Sequence, residues 1–232
     1  PVSLSYSIVS LGEGTFYNCS SLRSITIPSK VERIEKHAFE LCQHLETIII
    51  PYNLKSIDCD AFTCCRKLKN VTLPENLIYI GSQAFAYCTS LQSISIPDGI
   101  TEIQRGQFIS CSSLKSITLP NTIKQIADYA FLSCESLQSI VLPESLITIG
   151  NMAFYDCSSL SEITIPKSVL NISKEAFWDC PSLKTVTILN EMPPSIESNP
   201  FTVEEIKVPK ESLTKYKRSK IWKKIAKYTP IN

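Results

Sequence analysis

Glycine is scarce, with six residues in 232, so the chain has no Gly-rich loop of the kind that cradles phosphate groups. Histidine is scarcer: only His37 and His44 are present. A Ser/His/Asp or Cys/His site would have to be built on one of these two, and the pattern fixes no partner for either. Carboxylates are scattered rather than paired across a cleft. No run of about 18 apolar residues occurs, which excludes a transmembrane helix from the expectation. Neither sign of charge dominates, the formal net charge being +1. No initial Met and no signal peptide is visible. The N-terminus reads as a processed or truncated edge, cut within or just before a repeat, because Val2 and Leu4 already occupy the columns of Ile25 and Ile27. These absences lead to an expectation of no catalytic residues, no cofactor and no metal.

What the chain has is periodicity. Phenylalanines fall at Phe16, Phe39, Phe62, Phe85, Phe108, Phe131, Phe154 and Phe177, always 23 residues apart. A cysteine follows each three residues later, from Cys19 to Cys180, with no insertion or deletion. A fixed period between 20 and 50 is the signature of a solenoid.

Ten cysteines in a secreted chain would ordinarily suggest a disulfide framework. Eight of these share one column, and equivalent residues on stacked coils lie about 4.8 Å apart, beyond the ~3.8 Å Cβ separation of a disulfide. They read as small buried free thiols. A linear ladder also brings too few ligands together for zinc. Cys59 and Cys64 stand in solvent-facing columns, where a disulfide between them, a bond from Cys64 to Cys65, or two surface thiols all remain open.

Within one unit, Ile25 and Ile27 have the period of 2 of a strand buried on one face. Pro28 closes that strand, as do its equivalents up to Pro166, since proline lacks the ladder donor. Val31 and Ile34 open a second short strand. Ala38, Phe39 and Cys42 follow with the spacing of about one helical turn. Gln107 interrupts the column of Ala38, Ala61, Ala84, Ala130, Ala153 and Ala176. A single unit buries too little to fold alone, so stability should be collective.

The pattern L-x-x-I-x-I-P-x-x-[VIL]-x-x-I-x-x-x-A-F-x-x-C resembles that of the BspA-like (Treponema pallidum-type) leucine-rich repeat family. Seven units between Phe16 and Pro166 carry it nearly completely, and the likeness covers about residues 2–189. The resemblance implies a cell-surface or secreted protein that adheres to host matrix proteins or other cells. It also implies no catalytic residues, and a ladder in which cysteine stands where ordinary leucine-rich repeats have asparagine. The expected fold is a right-handed β-solenoid of 23-residue units with short parallel strands, helical corners and a C-terminal α/β cap. Residues 1–189 form the repeats and 190–232 the cap.

In the cap, Glu205-Ile206-Lys207-Val208-Pro209 reads as a last strand. Ser212 to Lys227 reads as a helix with Ser212 or Thr214 as its cap, and with Leu213, Tyr216, Ile221, Trp222 and Ile225 on its apolar side. Residues 203–232 hold nine basic and three acidic residues, or +6, which leaves −5 for the remainder. With Tyr216, Trp222 and Tyr228 this cluster admits an anionic-surface reading, but a solvated helix face with its aromatics turned inward accounts for it, and no nucleic-acid partner is expected.

Two surface columns merit attention. The column through Thr26 runs Ser3, Thr26, Ile49, Thr72, Ser95, Thr118, Val141, Thr164, Thr187, a hydroxyl-rich strand face that β-propensity and solubility explain. The column after each Phe runs Tyr17, Glu40, Thr63, Ala86, Ile109, Leu132, Tyr155, Trp178. Its polar members mark it as solvent-facing, and its last four are apolar. With Tyr129 and Met152 two residues before Phe, they form a candidate protein-binding stripe about 15–20 Å long. The competing reading has the loop from Met192 to Phe201 folding back over it. The chain is therefore expected to act, as a monomer, as a binding module for a host matrix or cell-surface protein. A spacer of a larger surface protein and an intracellular scaffold are the alternatives.

Overall fold

The apolar alternation of each unit has one consequence once units stack: every second strand residue turns inward, and its neighbours pair with the next coil. The computed structural model describes residues 4–231, so the reading of Val2 and Ser3 lies outside the described residues. The first strand of a unit, as in Ser24–Thr26 and Thr47–Ile49, pairs in parallel at a register of 23, with Ile25 opposite Ile48. The second strand does the same, with Arg33–Ile34 pairing with Ser56–Ile57. Isoleucine at the buried position of both strands builds one continuous interior from Leu11 to the C-terminal region.

The corners differ from the expected helical turn. Among the described residues no α-helix forms before Leu213. Each corner is a succession of tight turns closed by bonds across three residues, such as Glu40 N to His37 O at 3.1 Å and Cys42 N to Phe39 O at 3.1 Å. The alternating amides point along the stack: Phe39 N donates to Ala61 O at 2.8 Å and Leu41 N to Thr63 O at 2.9 Å. Those outward amides require left-handed backbone at two places per corner, for example His37 (φ 57°) and Leu41 (φ 62°). A helix would turn the same amides inward along its own axis and leave adjacent corners unbonded.

Two ladders run through these corners. The phenyl rings from Phe16 to Phe177, extended by Phe201, stack with centroids 5.0–5.7 Å apart and planes within 16°. Such contacts add ~0.5–1.5 kcal/mol each beyond burial. The thiols form the second. Cys42 S–H donates to Phe16 O at 3.0 Å, and each cysteine up to Cys180 repeats the contact with the phenylalanine of the preceding coil at 3.1–3.3 Å. All ten cysteines are free. Cysteine is thus a corner donor here, small enough to be buried and long enough to reach the neighbouring carbonyl.

The second-strand ladder has one discontinuity. On every other complete rung the amide before the corner bonds to the preceding coil, as Gly81 N does to Ile57 O and Ala127 N to Ile103 O. At the fifth unit Gln104 N turns instead to the Gln107 side-chain Oε1 at 2.8 Å. The second-strand sheet ends at Tyr79–Ile80 and a new one begins at Glu102–Ile103. The widest ring separation, 5.7 Å, lies between Phe85 and Phe108, at the same junction. An amide side chain stands in an alanine position there and captures the Gln104 amide, while the corner bonds across the junction, such as Phe85 N to Gln107 O at 3.0 Å, are kept; its Nε2 is buried without a partner.

Past Leu189 the chain continues to stack while losing its regularity. Phe201 takes the next place in the ring ladder, and Glu205–Val208 pairs with Thr185–Ile188. The helix expected over 212–227 is broken: a short α-helix, Leu213–Arg218, is followed by a single 3-10 turn, Trp222–Lys224. The chain turns extended at Ser219 (φ −61°, ψ 136°). Lys227–Pro230 then adds a further parallel strand beside Glu205–Val208. An uninterrupted helix of that length would carry the chain about 24 Å from Ser212, away from the sheet edge it must cover. Neither Ser212 nor Thr214 caps the helix through its side chain; the Ser212 hydroxyl is buried.

Candidate functional site

The column after each phenylalanine is held by the corner geometry, since its amide is inward-bonded within its own turn while the residues on either side bond to the next coil. Its side chains therefore fall in one row along the corner. Their exposure is graded rather than uniform. Tyr17 is open, Thr63 and Ala86 are buried, Ile109, Leu132 and Tyr155 are half-buried, and Trp178 is 37% exposed. Small members are covered by their neighbours, whereas large ones reach past them. Tyr129 and Met152 are half-buried at left-handed positions, φ 59° and 50°, and the Arg105 guanidinium lies over the Tyr129 ring at 5.2 Å.

The loop from Met192 to Phe201 does not lie over this row as a lid. It makes the next coil of the stack, with Phe177 N donating to Pro200 O at 2.8 Å, and Trp178 keeps its exposure. The adjoining column is acidic at the same end, through Asp156 and Asp179, and Ser133 Oγ donates to Asp156 Oδ2 at 3.0 Å. The row thus offers half-open apolar side chains bordered by carboxylates.

The strand face through Thr26 is exposed from Thr26 to Thr164. Its middle forms a shallow groove lined by Thr72, Ser93, Ser95, Ser116 and Thr118, with Glu75 and Asp98 at one edge. A further exposed apolar set escaped sequence reasoning. It stands in the column of Val9, Ile78, Ile147 and Leu170, just before the second strand. Its mixed membership with Glu32, Lys55 and Lys124 was the available signal.

The two histidines are committed locally. His37 Nδ1 lies 2.6 Å from Glu40 Oε2, and His44 Nδ1 donates to Ser20 O at 2.8 Å. Burial pushes the Cys111 thiol up to about 12 and holds Cys88 and Cys134 well above the ordinary thiol range. These cysteines are protonated donors rather than nucleophiles at neutral pH. Cys59 and Cys64, both half-buried, are free thiols. Among the described residues no group of three or more His, Cys, Asp or Glu is placed to hold a metal ion, and no helix is long and apolar enough to cross a membrane.

Comparison with solved structures places this stack among bacterial leucine-rich repeat proteins. A leucine-rich repeat protein from Bacteroides ovatus is 25% identical, with 100% of this chain and 91% of that chain covered and a TM-score of 0.52. A leucine rich cell surface protein from Faecalibacterium prausnitzii is 20% identical, with 100% and 86% covered and a TM-score of 0.55. The second likeness is one of fold. Among curated proteins no sequence matches the chain. The profile of the BspA type leucine rich repeat region matches in six copies over residues 2–115 and 101–219. With its periodic columns and its coils in register, the chain belongs to the BspA-type leucine-rich repeat family.

Proposed function

We propose that the chain is a non-catalytic protein-binding module, displayed at the cell surface or secreted, that adheres to a host matrix or cell-surface protein. The contact surface is the corner row Ile109, Leu132, Tyr155 and Trp178, with Tyr129 and Met152 beside it. Residues 1–189 present that row as a monomeric repeat body, and 190–232 close its last coil. The observation that carries this reading is the partial exposure of large apolar and aromatic side chains on successive rungs of one rigid corner. Aromatic anchors on a preorganised surface give affinity with little ordering cost. The carboxylates of Asp156 and Asp179 beside the row fit a partner with an apolar centre and a basic rim.

The test is a binding screen on immobilised matrix and plasma proteins. It compares the intact chain with a variant carrying Ile109, Leu132, Tyr155 and Trp178 all changed to Ser, both checked for fold by circular dichroism. Saturable binding by the intact chain and none by the folded variant is the expected result. Because three of the four side chains are half-buried, Trp178→Ser alone serves as the second variant. Equal binding by every folded variant would remove the row from the account. Binding by none, the intact chain included, would favour a spacer role within a larger surface protein.

A further inference from the structure

The C-terminal region carries a surface that the adhesion reading does not use. All nine basic residues between Lys207 and Lys227 are exposed, and none of them belongs to an ion pair among the described residues. The aromatic residues of the same segment are turned inward. Trp222 Nε1 donates to Pro194 O at 2.8 Å, Tyr216 O–H to Asn190 O at 3.2 Å and Tyr228 O–H to Trp222 O at 2.7 Å. The first two bonds fasten the loop before Ser195 to the 3-10 turn and the short helix, and the third ties the last strand to that turn.

What remains outside is apolar as well as basic. Leu170 and Met192 are each 64% exposed, and Ile221 is 38% exposed. They are contiguous: Leu170 and Met192 border one shallow depression together with Lys167, and Met192 and Ile221 border the next together with Lys215 and Arg218. Glu191 is the carboxylate in this lining. The protein therefore presents three protruding apolar side chains set among unpaired cations.

We propose that this face docks on a bilayer containing anionic lipid, with Leu170, Met192 and Ile221 entering the headgroup region and the surrounding Lys and Arg side chains on the lipid phosphates. Two features select a bilayer over a single acidic peptide. Seven of the nine exposed basic residues lie outside the linings of the two depressions, so the charge is not confined to one peptide-sized site. The apolar side chains protrude rather than line a closed groove, which suits shallow insertion. Basic residues near an anionic leaflet are attracted additively, and the attraction fades within a Debye length.

Co-sedimentation with vesicles of phosphatidylcholine alone and of phosphatidylcholine mixed with phosphatidylglycerol tests this. The chain is expected to bind only the mixed vesicles, with partitioning falling about tenfold or more from low to high salt. Lys215→Glu with Arg218→Glu should lower it by about tenfold or more. Leu170→Ser with Met192→Ser should lower it at unchanged charge. All four side chains are exposed, and circular dichroism confirms that the variants fold. Equal partitioning into both vesicles, or into neither, overturns the proposal. Binding to heparin or DNA without binding to mixed vesicles also overturns it, and reassigns the face to soluble polyanions.

Discussion

Seven buried thiols, from Cys42 to Cys180, each donate to a carbonyl of the coil before them. Burial raises their pKa values, that of Cys42 to about 11 and those of Cys111 and Cys180 to about 12. In the unfolded chain the same thiols ionise near ~8.5. The folded protein then holds more protons than the unfolded one across that window. Stability is complete below the unfolded value and is lost as pH rises toward the folded one, by up to ~1.4 kcal/mol per pH unit per thiol. Chemical denaturation under reducing conditions should therefore show a plateau at neutral pH and a steep fall above about pH 9. A variant with Cys134→Ala and Cys157→Ala should start lower and fall less steeply. A wild-type midpoint unchanged up to about pH 10.5 would contradict this use of the ladder. That these columns are interior was legible in the sequence, since a fixed period ties one residue type to one place. Their bonding role was not, because no pattern shows where a carbonyl of the neighbouring coil will lie.

At the scale of single elements, the corner shows what periodicity leaves ambiguous. Ala38, Phe39 and Cys42 are spaced as on a helix, yet consecutive tight turns place them on one side equally well. The usual marker of left-handed backbone is glycine, and here His37, Leu41, Asp60, Cys64 and Tyr87 occupy such positions instead. The last strand, Lys227–Pro230, was hidden because it belongs to no repeat. Gln107 was visible as an interruption, and the structure gives it a consequence, the missing rung-to-rung bond at Gln104. Gln107→Ala should let Gln104 N return to the carbonyl of Ile80, as its equivalents do on other rungs. Hydrogen exchange at Gln104 and Thr101 should slow, and global stability should hold or rise by ~1 kcal/mol, since a buried unpaired amide nitrogen is removed. A loss of about 2 kcal/mol or more would show instead that Gln107 is a needed packing element.

The whole molecule is a one-dimensional stack whose stability sums over neighbouring coils and whose surface changes character along its length. Carboxylates accompany the corner row, while the C-terminal coils are strongly basic. The existence of the row was legible from alignment of the sequence with itself. Its depth was not: one column holds both a covered Ala86 and an open Trp178, and the repeat pattern assigns both the same place. The central claim is that this row binds a protein and is not merely core. Trp178→Ser tests it most directly, read by thermal melting and by titration against the matrix protein retained in the screen. The account predicts a binding loss of tenfold or more, about 1.4 kcal/mol, with the melting temperature lowered by only ~2–4 °C. A large fall in melting temperature with binding by the remaining folded protein unchanged would contradict it, and would return Trp178 to the interior.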